Sequence, residues 1–174
     1  MRKLLYAFGL TSALVFALAA QAAAPNFAGT WTLDKGKSQG LSQRVQNAES
    51  VSWIITQTEK EITIEEKIAG GGGPGGGQGG GRGGMMGGPR TYNLDGSETT
   101  GETARGKFAR KATLSADGKT LELVSKQTFQ GPEGEVTTTL NDKLSLSADG
   151  KVLTVVRHSE SPRGTQDSTL VFNK

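Results

Sequence analysis

Residues 114–124 read LSADGKTLELV, and thirty-two residues later positions 146–156 read LSADGKVLTVV. In both copies the segment Ser-Ala-Asp-Gly-Lys separates stretches whose apolar residues fall on alternate positions. Aspartate can bond the backbone that follows it, and glycine accepts the left-handed conformation that ends a type I turn with a G1 bulge. Each copy therefore predicts a tight hairpin with one register. A connection this short joins only antiparallel neighbours. The segment occurs twice and the other turns differ, so it is a shared hairpin solution and not the period of a solenoid or propeller.

The alternation extends in both directions from these hairpins. It predicts strands near 29–34, 51–57, 60–68, 90–94, 107–114, 119–129, 135–146, 151–160 and 168–173, rich in Thr, Val, Ile, Leu and aromatic residues and bounded by Gly, Asp, Asn or Pro. Beyond the N-terminal leader no segment carries a sustained apolar stripe at helical spacing. The nearest, LSQRVQNAES at 41–50, is polar and reads as a short helix or a loop. Successive hairpins without helices to cover sheet edges predict an all-β chain, a single antiparallel up-and-down barrel, because closure pairs every edge. A two-sheet sandwich is the competing architecture.

Residues 1–22 read as a signal peptide. Arg2 and Lys3 precede an apolar run from Leu4 to Ala20, and Ala20 and Ala22 supply the small residues of a cleavage site. The run is short for a membrane span and lacks a basic stop signal, so no stable span is expected after cleavage. Residues 23–174 then form one domain, exported to the periplasm or the extracellular space. Within it, 70–88 holds more than half of the 26 glycines and reads as a flexible loop between two strands. Loss of Arg2 and Lys3 lowers the formal charge from +3 to +1. A surface so close to neutral offers nothing for nucleic acid. There is no cysteine, so neither disulfides nor thiolate metal sites hold the fold.

Strand parity assigns each residue a face. The apolar face carries Trp53 and Ile55, Ile62 and Ile64, Tyr92 and Leu94, Leu121, Leu123 and Phe129, with matching positions on the other strands. The same parity turns Glu66, Arg110, Ser125, Gln127, Asp142 and Arg157 inward. Buried charge must be paired or hydrogen bonded, so an inward arginine either joins an acid such as Glu66 or Asp142 or holds an anionic ligand. His158, the one histidine, falls on the outer face. It lacks the companions of a catalytic triad or metal cluster, and no GxSxG or HExxH occurs. No enzyme activity, cofactor or metal is expected. Met85 and Met86 offer two thioethers without a third ligand, and the single arginine of the glycine tract, Arg82, makes a poor RNA-binding segment.

FAGTWTLD at 27–34 resembles the first strand of the calycins: the GxW of lipocalins and, more closely, the FxGTWxL opening of intracellular fatty-acid-binding proteins. STLVFNK at 168–174 is similar to the last strand of that group. The chain after its leader also resembles small exported bacterial proteins of unassigned function that open with FxGTWxLDxxKS and repeat ADGKxLxV. Phe27, Gly29, Thr30, Trp31, Leu33, Asp34 and Ser38 stand at those opening positions. The resemblance implies a calycin-like barrel with Phe27, Gly29 and Trp31 as its structural signature. Trp31 plugs one end, and Gly29 lets a neighbouring backbone approach. It also implies interior arginines that hold a carboxylate. No pair of lid helices follows the first strand, unlike the fatty-acid binders.

Together these readings point to an exported barrel that takes a small hydrophobic or amphipathic ligand. Trp53 and Tyr92 supply apolar contact, Arg110 and Arg157 an anionic end, and Gln127 a polar contact. The competing class is a structural or protein-interaction module of the cell envelope whose barrel is filled by its own side chains.

Overall fold

The structure, a computed structural model, describes residues 25–70, 88–103, 106–131 and 134–174. The leader and nearly all of the glycine tract, including Arg82, Met85 and Met86, lie outside the described residues. Ten strands occur among the described residues: β1 (Gly29–Leu33), β2 (Ser50–Gln57), β3 (Glu61–Ala69), β4 (Arg90–Asn93), β5 (Thr99–Thr103), β6 (Gly106–Leu114), β7 (Thr120–Gly131), β8 (Gly134–Leu146), β9 (Val152–Ser161) and β10 (Gly164–Asn173). A five-residue helix, α1 (Gln43–Asn47), lies between β1 and β2 and buries none of its residues.

Every pairing is antiparallel, in the order β4-β3-β2-β1-β10-β9-β8-β7-β6-β5. Each strand pairs with its neighbours in sequence except at two places. The first and last strands join, with Leu33 opposite Phe172. Between β4 and β5 the ladder is interrupted, although the two lie against each other and β4 also approaches β6. The result is a single, nearly closed up-and-down barrel with one seam, not a sandwich.

Both SADGK turns form as expected. Gly118 and Gly150 have φ of 69° and 67°, and each donates its N–H to the serine three residues earlier at 2.9 Å. The Asp117 and Asp149 carboxylates accept from Ser115 and Ser147 Oγ at 2.5 and 2.6 Å. Local chemistry alone sets the β6–β7 and β8–β9 registers. Sequence periodicity yields nine strands, and the tenth, β5, was missed. Its residues TTGET carry no large apolar side chain, and burial gave no alternation to read. Strand β10 also begins at Gly164, four residues before the apolar alternation starts.

The core extends to the end of the barrel where Lys174 reaches the Ala28 carbonyl. Phe27, Trp31, Ile62, Leu144, Leu153 and Phe172 are all completely or almost completely buried there. Trp31 Nε1 donates to the Phe27 carbonyl at 2.8 Å, and Lys174 Nζ covers its ring at 5.2 Å from the centroid. The indole thus fills its pocket with its one polar atom satisfied. The close neighbour of Gly29 is the Lys174 side chain, not a backbone: a Cβ there would stand 2.8 Å from Lys174 Cε.

Along the barrel axis the lining changes character. On β7 the inward residues run from Leu121 and Leu123, both 1% exposed, through Ser125 and Gln127 to Phe129, which is 37% exposed. Phe129 was expected in the core, but it lies where the strands outrun the packed interior. Toward the end that carries α1 and the β9–β10 turn the lining of β7 thus becomes more polar and more exposed, while Leu41 and Val45 at α1 pack against the core.

Candidate functional site

A polar girdle lines the barrel beyond its packed end. Trp53, Tyr92, Arg110 and Gln127 are buried on the inner face, and Arg157 joins them with 19% of its side chain exposed. Period-two alternation brings them to one wall because each lies on the same parity as its strand's apolar residues.

The three interior arginines have different environments. Arg157 donates to both Asp142 oxygens through one guanidinium edge, Nε to Oδ1 at 2.7 Å and Nη2 to Oδ2 at 2.9 Å. Burial opposes the Arg157 charge, but the charge and hydrogen bonds of Asp142, with help from Glu66, more than offset this and raise its pKa. The two residues stand opposite each other in the β8–β9 ladder, so strand register forms this pair. Arg157 also lies over the Trp53 ring at 5.3 Å.

Arg110 pairs with no carboxylate among the described residues. Its guanidinium stacks on Phe108 at 4.1 Å, and its Nε is buried without a hydrogen-bond partner. Burial lowers its pKa from the ordinary arginine value, and the Arg90 charge adds to the depression. Phe108 can lie beneath it because Gly101 stands opposite in the β5–β6 ladder: a Cβ at Gly101 would be 2.6 Å from Phe108 Cζ.

Arg90 did not appear among the site residues read from the sequence. It is 4% exposed, lies 5.9 Å from the Trp53 centroid, and its buried Nη2 also lacks a partner. It precedes Tyr92 by two residues, so the parity that turns Tyr92 inward was the available signal for it. Thr99, opposite Arg110 on β5, adds a third unpartnered buried atom, its Oγ1. Tyr92 feels both cations: burial raises its pKa, while Arg90 and Arg110 pull it down.

Among the described residues, two of the concavities open directly to solvent. One, of about 680 Å³, lies at the ends of β5–β8 and is bordered by Lys107, Lys126, Thr128, Phe108 and Gly101. The other, of about 350 Å³, lies beside α1 at Lys35, Leu41 and Gln46. His158 is on the outer face as expected, with Nδ1 2.5 Å from Asp167 and Nε2 3.3 Å from Glu160. Among the described residues no three His, Asp or Glu side chains gather as metal ligands, and no helix is long and apolar enough to cross a membrane.

The strand order and the joined terminal strands define the class: a ten-stranded antiparallel up-and-down barrel. The chain is similar to a zebrafish ileal bile acid-binding protein whose crystal structure contains cholic acid. Sequence identity is 14% and the TM-score 0.48, over 85% of this chain and 98% of that one. No protein-family model and no curated protein matches the sequence.

Proposed function

We propose that this is an exported binding protein that admits a small amphipathic molecule through the more exposed end of the barrel, anionic group first. One observation carries the reading: Arg90 and Arg110 are buried in the lumen wall without an ion-paired carboxylate among the described residues, each with a nitrogen that lacks a hydrogen-bond partner. Buried cations in this state are costly, and an anion placed between them satisfies both. Arg157, held by Asp142, braces the wall instead of competing for the ligand. The packed end leaves no room below the girdle, so the apolar part of the ligand runs outward past Phe108 and Phe129. The signal peptide read at 1–22 supports export.

A barrel filled by its own side chains is the second reading, and the packed end together with the Arg157–Asp142 pair favours it. Native mass spectrometry of protein purified from its host's envelope separates the two. The binding reading expects a copurified small molecule that is lost in Arg90→Leu and Arg110→Leu variants. Ligand-free protein in every preparation, or retention unaffected by both substitutions, refutes it.

A further inference from the structure

Among the described residues three guanidinium groups face inward, and the one buried carboxylate, Asp142, is engaged in its bidentate contact with Arg157. Glu66 also faces inward, opposite Trp53, and its charge acts on Arg157. Arg90 and Arg110 remain as two cations without a counter-ion among the described residues. They lie near each other: β4 approaches β6 across the seam where no ladder intervenes, and the Arg90 charge acts on Arg110. Arg90 Nη2, Arg110 Nε and Thr99 Oγ1 supply three unsatisfied buried polar atoms around that seam. A carboxylate brings one negative charge and two oxygens in a plane, which neutralises one guanidinium and leaves its neighbour uncompensated. A phosphate monoester brings close to two charges and three acceptor oxygens in a tetrahedral arrangement.

We infer that the seam between β4 and β5 is a receptor for a dianionic phosphate group, held by Arg90 and Arg110 with the Thr99 hydroxyl as a third contact. The inference rests on the binding reading above and narrows it to phosphorylated amphiphiles. Phe108, stacked on Arg110 and fitted against Gly101, holds one of the two cations in position.

The test is isothermal titration calorimetry of the full processed chain at pH 8, with four probes below their micellar concentrations: dodecyl phosphate, dodecyl methyl phosphate, laurate and inorganic phosphate. At this pH the monoester is dianionic, whereas the methyl diester keeps the tail and carries one charge. Dodecyl phosphate is expected to bind at least about tenfold more tightly than laurate or the diester, since it adds a charge-assisted contact to a buried guanidinium. Arg90→Gln and Arg110→Gln, each removing one cation, are expected to abolish that preference while the protein still folds, as judged by circular dichroism. Equal or tighter binding of laurate overturns the dianion inference and leaves the amphiphile reading standing. Inorganic phosphate binding as tightly as dodecyl phosphate keeps the dianion site but overturns the amphiphile reading. If none of the four probes binds, both fail.

Discussion

Replacing Asp142 by leucine leaves the Arg157 guanidinium in the lumen wall without its partner. Asp142 is 1% exposed and the Arg157 side chain 19%, so little water can take the carboxylate's place. Orphaning one member of a buried pair costs about 3–5 kcal/mol. The partial exposure of Arg157 puts this case at the lower end, at about 3 kcal/mol. For a domain of this size each kcal/mol lowers Tm by about 2–4 °C, so a fall of about 6–12 °C is expected. The double variant Asp142→Leu/Arg157→Met removes both charges at similar volume and is expected to match or exceed the parent in stability. Urea titrations followed by far-ultraviolet circular dichroism, with all three proteins at one pH, measure both differences. A cost below about 1 kcal/mol for the single variant, or a double variant as unstable as the single, refutes the claim that this pair lies in a desolvated wall.

Two further expectations address the seam and the outer face. Gly101→Ala places a methyl group 2.6 Å from Phe108 Cζ and forces the ring away from Arg110. Overpacking of this kind costs about 1–3 kcal/mol in a urea titration, and an unchanged midpoint rules out the close fit. On the outer face, Asp167 and then Glu160 raise the pKa of exposed His158 above its ordinary value of 6.5. The imidazolium is favoured in the folded state, so its stabilising contribution is fully present below the unfolded pKa and is lost as pH rises through the higher folded value. The Tm deficit of His158→Asn should therefore be larger at pH 5.5 than at pH 9. A deficit independent of pH contradicts the pairing.

Local sequence determined the hairpins, the antiparallel meander and the face each side chain presents. A Ser-Asp-Gly turn closes on atoms within five residues of itself, and a strand's alternation needs no knowledge of its neighbours. Trp53, Tyr92, Arg110, Gln127 and Arg157 could be placed inside on that basis alone. Two features escaped it for the same reason in different forms. Strand β5 has little to bury and so no pattern to display, and Arg90 begins a short strand directly after the glycine tract, where periodicity has just started. Which arginine is neutralised was decided by tertiary structure. Strand register sets Asp142 opposite Arg157, while Arg90 and Arg110, on strands either side of the seam, form no ion pair among the described residues. Charge type is written in one residue, but its compensation depends on distances between strands far apart in the chain, and only barrel closure sets those distances.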